Sequence, residues 1–230
     1  MNPWKSDEEL FALARRELFT SVVGDVMDKM GLRQQFLPPR IRPLRDDMVV
    51  IGRAMPVLEA DVFDEKAEGT MNPLMTKPFG HMLEALDDLK QNEVYICTGS
   101  SPRYALWGEL MSIRSLKLGA AGAVLDGYSR DTRAIHQLNF PTFSYGSYAQ
   151  DQGPRGKVID FRVAIEIEGV RIVPGDVIFG DVDGVCLVPA IAAEETFARA
   201  LEKARGEKTV MKALEEGMST VEAFARFGIM

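Results

Sequence analysis

Cysteine and histidine are scarce in this chain of 230 residues, with two of each, so little soft-ligand material exists for a zinc, iron-sulfur or redox centre. Cys97 in EVYICTG and Cys186 in GVCLVP lie in apolar, strand-like runs without Cys-x-x-Cys or His/Cys spacing, and both read as buried, reduced core residues. Long hydrophobic runs are missing too. No stretch of about 18 apolar residues could span a bilayer, and the opening MNPWKSDEEL places acids where a secretory leader needs an apolar segment. The expectation is a cytoplasmic protein with no membrane partner. Positive charge is in deficit, with 27 Lys and Arg against 34 Asp and Glu and a net charge of -7, which argues against nucleic acid as a partner. GxGxxG, GxxxxGK[ST] and GxSxG are all absent, so nucleotide-binding, methyltransferase and α/β-hydrolase readings lack their structural carriers. Without repeats, low-complexity tracts or a Pro/Gly/Ser linker, residues 1–230 read as a single domain.

What is present is ordinary globular material, 46% hydrophobic and 27% charged, enough for one large core. Ser6 and Glu9 have capping-box spacing ahead of Leu10, Leu13, Ala14 and Leu18 on one helical face, and SVVGDVMDKM forms a second helix ending at Gly31. Residues 48–58 read as a strand. The polar stretch from Glu59 to Gly80 reads as a long loop, of a length usually tied to function. The middle third then alternates strand and helix: EVYICTG, a helix through Leu106, Leu110, Ile113 and Leu116, AGAVLDG, the short helix RDTRAIHQL, and FPTFSYG. Helical crossovers imply parallel strands. Residues 158–189 alternate apolar and polar, with turns at Glu168-Gly169, Pro174-Gly175 and Asp183-Gly184, which predicts antiparallel hairpins. The last forty residues are helical, carry six basic and seven acidic side chains, and hold a second capping box at Ser219 and Glu222. The mixed charge marks a solvated surface.

Chain lengths bring three charged residues to one place. A helix from near Trp107 to Leu118 carries the chain about 15 Å out, and the strand AGAVLDG returns it by about 16 Å. Glu109 and Arg130-Asp131 should therefore meet at the carboxyl ends of parallel strands, where open α/β sheets hold ligands. The loop CTGSSPRYALWGEL adds a helix N-terminus suited to a carboxylate or phosphate. Spacing alone leaves other roles open: Asp131 as a cap for the helix after it, Arg130 in a surface ion pair, Glu109 as a first-turn acid favoured by the helix dipole. Asp176, Asp181 and Asp183 lie among hairpin turns and read as turn residues.

The run WGELMSIRSLKLGAAGAVLDGYSRD, with FPTFSYG and VPGDVIFGDVDGVCLVP after it, resembles the 4-hydroxy-4-methyl-2-oxoglutarate/4-carboxy-4-hydroxy-2-oxoadipate aldolases, a family that also contains the regulator of ribonuclease E activity, RraA. The resemblance covers about residues 21–189, leaving 190–230 as C-terminal helices. Its enzymes carry an acid, twenty intervening residues and Arg-Asp, as Glu109 and Arg130-Asp131 do here. It implies an α/β fold, a three-layer ββα sandwich of the swivelling-domain type with terminal helices, assembled as a homotrimer or a dimer of trimers. It also implies a metal-dependent, class II type retro-aldol cleavage of a 4-hydroxy-2-oxo acid to pyruvate, with oxaloacetate decarboxylation through the same enolate. Asp131 would bind Mg2+ or Mn2+. Arg130 would hold the pyruvate carboxylate, backbone N–H groups of Leu110 and Met111 would meet the substrate, and Glu109 would position a metal-bound water that takes the C4 hydroxyl proton. A carboxylate from a neighbouring subunit's C-terminal helix would complete the metal shell.

Two departures accompany the resemblance. Family aldolases usually carry Asp where this chain has Glu109, and the loop 61–80 is longer than in those enzymes. Its Lys77 and His81, with Arg103 and Tyr104, are candidates to contact a second carboxylate or sugar-acid hydroxyls, against a plainer reading as solvated loop residues; His136 reads as an ordinary helix residue. The alternatives to the aldolase are a non-catalytic binding protein like the ribonuclease regulator and a lyase acting on a sugar-acid-like substrate.

Overall fold

The computed structural model describes residues 3–63 and 70–228. Its elements in chain order are α1 (Asp7–Glu17), α2 (Thr20–Lys29), β1 (Arg42–Pro43), β2 (Val50–Asp61), α3 (Met82–Asp88), β3 (Glu93–Thr98), β4 (Ala105–Trp107), α4 (Glu109–Leu118), β5 (Gly122–Leu125) and β6 (Tyr128–Ser129). They continue with α5 (Thr132–Leu138), β7 (Thr142–Ser144), β8 (Gly156–Phe161), β9 (Ile165–Ile167), β10 (Val170–Ile172), β11 (Val177–Asp181), β12 (Gly184–Val188), α6 (Ala193–Glu215) and α7 (Thr220–Phe227).

The main sheet runs β1-β7-β5-β3-β2-β11-β12, with β8 also on β2. Its centre is parallel, as the helical crossovers require: β2 pairs with β3, β3 with β5 and β5 with β7. The β11 and β8 pairings with β2 are antiparallel.

Strand periodicity sorts the core into layers. Ile51, Met55 and Val57 of β2, Tyr95 and Cys97 of β3, and Phe179 of β11 face helices, α1, α2 and α6 at one end and α3 and α5 at the other. The alternate residues Val50, Ala54, Val94, Ile96, Val124 and Ile178 face the β9–β10 ribbon. The result is a helix layer, a sheet and a second β layer, the mixed α/β arrangement expected of the ββα sandwich. Among the described residues no helix is long and apolar enough to cross a membrane.

Local details depart from the sequence pattern. Leu106 belongs to β4 and not to the helix, which starts at Glu109; its i,i+4 spacing to Leu110 imitates a helical face, while the buried segment 105–107 pairs with β6. Pro174-Gly175 links two layers and makes no hairpin, because β10 pairs with β9 and β11 pairs with β2 and β12. The strand read at 48–58 extends to Asp61, and the pattern gives no announcement of α3. Only half of the first capping box forms: Ser6 accepts from Glu9 N, whereas the Glu9 carboxylate takes the N–H of Lys5. The second box, at Ser219 and Glu222, closes in both directions. Cys97 and Cys186 are buried and free.

The α2 start is tied to the sheet by Asp181, whose buried carboxylate accepts from Thr20 N at 2.8 Å, Thr20 Oγ1 at 2.7 Å and Asp183 N at 2.9 Å. Asp181→Ala should leave the Thr20 donors buried and unpaired and cost about 2–4 kcal/mol in urea unfolding. A wild-type midpoint would show that the anchor contributes nothing.

Candidate active site

The site grows from the short parallel pair β4–β6. Trp107 is almost fully buried, stacked on Phe140 with ring centroids 5.9 Å apart, and its Nε1 donates to Ser112 Oγ at 2.7 Å. Ser112 Oγ in turn donates to Gly108 O at 3.0 Å, which locks the first turn of α4 against the core. On the neighbouring strand Arg130 N donates to Trp107 O at 2.8 Å, setting Arg130 and Asp131 beside Gly108.

Asp131 stands at the N-cap position of α5 with φ 57°, in the left-handed region that Asp tolerates better than most residues. Its carboxylate does not cap its own helix. Oδ2 reaches across to α4 and accepts from Glu109 N at 3.2 Å, so the carboxylate lies at the positive end of a different helix. Gly108 makes this approach possible, because a Cβ there would stand 2.7 Å from Asp131 Oδ2. Arg130 lies between two acids: Nη1 is 2.9 Å from Asp151 Oδ1, and Nε is 3.8 Å from Asp131 Oδ2.

These groups edge a cavity of about 460 Å³. One wall is apolar, with Phe79, Met82, Leu86, Leu110 and Met111; the other carries Arg130, Asp131, Asp151 and Gln152. Neither Leu110 N–H nor Met111 N–H has a partner among the described residues, as the first turn of a helix leaves them. The structure therefore brings together Arg130, Asp131 and the backbone of Glu109, Leu110 and Met111. The half-buried Glu109 side chain starts α4 beside the cavity and is not among its lining residues.

Asp131 is the residue that could hold a divalent cation. Its Oδ1 has no protein partner among the described residues, and its side chain is 45% exposed. No group of three His, Cys, Asp or Glu with metal-binding geometry occurs among the described residues; the free Asp131 oxygen is a hard donor, of the kind that Mg2+ or Mn2+ takes when water fills the rest of its shell.

The loop candidates lie elsewhere. Lys77 pairs with Glu84, His81 Nδ1 is 3.7 Å from the same carboxylate, and neither lines the cavity. Arg103 Nη2 and Tyr104 Oη both donate to Asp61 at 2.9 Å. Residues 64–69 of that loop are outside the described residues. His136 Nε2 contacts Leu44 O at 3.2 Å. Asp176 and Asp181 satisfy backbone N–H groups at turns and an element start.

Three polar residues of the site escape the sequence pattern. Asp151 and Gln152 sit in AQDQGPRG, which reads only as a polar loop, and Glu59 ends a strand-like run. Glu59 is fully buried, which pushes its carboxyl up to about 8, and Oε2 accepts from Gln152 Nε2 at 2.8 Å. A Glu at the end of an otherwise apolar strand is the one signal available for it.

Comparison with known proteins gives the family and the fold. The family model described as RraA-like, Aldolase/RraA, matches residues 20–187. A Halalkalibacterium halodurans protein, provisionally named a 4-hydroxy-4-methyl-2-oxoglutarate aldolase, is 29% identical over 91% of this chain and 90% of its own. Protein DlpA of Legionella pneumophila is 26% identical over 87% of this chain, which spans only 31% of DlpA. Streptomyces coelicolor RraAS2, described as an unusual member of the RNase ES inhibitor RraA protein family, has the same fold, with a TM-score of 0.74, 21% identity and coverage of 90% of this chain and 98% of that one.

The Gly108 contact can be tested without reference to any reaction. Gly108→Ala should force the Asp131 carboxylate off the α4 N-terminus, and exchange of the Glu109 amide hydrogen should accelerate about tenfold, the worth of one hydrogen bond. Unchanged exchange would mean that the carboxylate does not rest there.

Proposed function

Because the chain belongs to the RraA-like family, Aldolase/RraA, we propose that it is a divalent-metal-dependent lyase that cleaves a 4-hydroxy-2-oxo acid and releases pyruvate. The observation that carries this reading is the corner where Asp131 lies on the α4 N-terminus beside Arg130, with the unpaired N–H groups of two cavity-lining residues, Leu110 and Met111, in the same helical turn. A substrate carboxylate meets the Arg130 guanidinium, whose Nη2 has no protein partner among the described residues, and the N–H groups of Leu110 and Met111. Glu109 accepts the C4 hydroxyl proton, directly or through water. The C3–C4 bond then breaks, its electron pair moves to C3 and the keto group as the enolate of pyruvate, and C4 leaves as a carbonyl; protonation at C3 completes the product. Mg2+ or Mn2+ held by Asp131 supplies Lewis-acid stabilisation of the charge developing on the keto oxygen. Oxaloacetate decarboxylation proceeds through the same enolate and needs no hydroxyl proton transfer.

Lys77 pairs with Glu84 and His81 lies beside the same carboxylate, so nothing in the described residues of the loop favours the sugar-acid alternative. A non-catalytic regulator remains the competing class, on the strength of the Streptomyces protein's description; Glu109, retained ahead of Arg130-Asp131, favours the enzyme. We further place the protein in the cytoplasm as a trimer or dimer of trimers. Leu83 on α3 and Leu110, Ile113 and Leu116 on α4 form an exposed apolar face beside the cavity that a neighbouring copy would cover.

A lactate dehydrogenase-coupled assay over a panel of 4-hydroxy-2-oxo acids tests the reading. EDTA should abolish pyruvate release, and Mg2+ or Mn2+ should restore it without refolding, because a site built from few carboxylates exchanges its ion readily. Full turnover by metal-free protein, or no release from any member of the panel, would overturn it.

The two acids should fail differently. Asp131→Asn should weaken Mn2+ binding and lose activity, since a neutral amide is a poorer ligand for a hard cation. Glu109→Gln should leave Mn2+ bound and slow cleavage by about 100-fold to 10,000-fold, with oxaloacetate decarboxylation less affected. Equal loss of both reactions at unchanged metal affinity would remove the base role from Glu109.

A further inference from the structure

The polar wall of the cavity has a second tier that none of the preceding steps uses. Gln152 is 4% exposed and lines the cavity next to Asp151. Its Nε2 is engaged behind the wall by Glu59 Oε2 at 2.8 Å, while its Oε1 has no partner among the described residues. Glu59 sits on β2 beside a register shift between Leu58 and Glu59; the Cys97 thiol lies against its carboxyl, and its other oxygen, Oε1, is buried without a hydrogen bond from any N–H or O–H.

Stability alone does not account for this pair. A buried carboxyl with one unsatisfied oxygen costs free energy that an apolar side chain of similar volume avoids, and such a group calls for another explanation. Its effect on Gln152 supplies one. With Nε2 committed to Glu59, the amide cannot rotate freely, and the acceptor end is the one left for the cavity. Burial raises the Glu59 carboxyl to about 8, so near neutral pH it is uncharged and adds no negative charge beside Asp131 and Asp151.

We infer that Gln152 is a substrate-binding residue whose Oε1 accepts the hydrogen bond of the hydroxyl when a hydroxy-oxo acid first binds, before the O–H turns to Glu109 for proton transfer, and that Glu59 is the positioning residue that holds the amide in that orientation. The inference deepens the proposed lyase reading and rests on it for the substrate class. Its structural content is narrower: the cavity prefers a ligand with a hydroxyl over the same ligand without one, and the preference resides in Gln152. Asp151 and Arg130 are already paired with each other, which leaves Gln152 Oε1 as an uncommitted neutral acceptor on this wall.

The test compares 4-hydroxy-2-oxopentanoate with 2-oxopentanoate, which differ only in that hydroxyl. Binding is measured by titration calorimetry with Mg2+ in the Glu109→Gln background, which slows cleavage. The hydroxyl should strengthen binding by about tenfold or more, because a site built to pair with a hydroxyl discriminates strongly against its absence. Gln152→Leu should bring the two affinities together. Glu59→Leu should do the same, whereas Glu59→Gln, which keeps a neutral carbonyl acceptor for Gln152 Nε2, should retain the preference; a merely structural role would not produce that rescue. In the otherwise wild-type enzyme, Gln152→Leu should raise KM for the hydroxy acid more than it lowers kcat.

A hydroxyl preference that survives Gln152→Leu, or no preference in the parent protein, overturns the inference. The coupled pyruvate assay separates this failure from failure of the lyase reading. Pyruvate release with a preference indifferent to Gln152 removes the Gln152 assignment alone, while a Gln152-dependent preference without pyruvate release from any substrate removes the lyase and leaves Gln152 as a hydroxyl-binding residue.

Discussion

The hydrogen bond from Glu109 N to Asp131 Oδ2 joins the start of α4 to the turn that follows β6, two segments that the β4–β6 pair already sets side by side. Each side gives up something for it. Asp131 occupies the left-handed region and leaves its own helix uncapped, and a side chain at position 108 would push the carboxylate away. The contact holds because β4 and β6 run parallel side by side, Ala105 opposite Tyr128 and Trp107 opposite Ser129, which fixes the two turns before their side chains are considered. Trp107, wedged between Tyr95 and Phe140, ties that small sheet to the main core. Chemistry placed here stands on rigid backbone, and preorganisation of that kind is what a charge-stabilising site requires.

The layering explains why the site has one apolar and one polar wall. Odd-numbered residues of β2 and β3 face the helices, so α3 and the first turn of α4 bring Met82, Leu86 and Met111 over the sheet as core-forming residues whose outer edge becomes cavity wall. The polar wall comes from the turns after β6 and β7, where the chain leaves the sheet. Glu59 is the exception, a carboxyl carried on the long central strand into the helix-facing layer, just past Val57 and beyond the register shift.

Sequence arithmetic made the Glu109, Arg130 and Asp131 corner legible because it needs only local geometry: one helix out, one strand back, with nearly cancelling lengths. Helical termini and the parallel centre follow from periodicity and crossovers in the same way, whereas the order of the layers came from the resemblance. Leu106 shows where that reasoning fails, since three buried residues are too few to display a period of two, and a chance spacing to Leu110 suggested a helix. Asp151, Gln152 and Glu59 fail for another reason. Glu59 and Gln152 are 93 residues apart, and no local pattern encodes a pairing created by β8 folding back onto β2. Resemblance to a family supplied the direction of the Asp131 role; the carboxylate's choice of the neighbouring helix over its own is visible only in three dimensions.

Charge balance links these pieces to the proposed chemistry. Asp87 and Arg114 pair at the rim, so the cavity lining reduces to Arg130 against Asp131 and Asp151, one negative charge in excess. A 2-oxo acid brings another carboxylate, and C–C cleavage develops further negative charge on its keto oxygen. Arg130 cannot offset this alone, because Asp151 already engages one arm of its guanidinium. The helix N-terminus contributes only about half a positive charge. A third ionised acid on the polar wall would make binding of an anion still less favourable, which is why the neutral state of buried Glu59 matters and why an amide, Gln152, suits the wall in front of it better than a carboxylate. With substrate bound, about one and a half negative charges would remain, and more as the enolate forms; a divalent ion at the free oxygen of Asp131 would offset them.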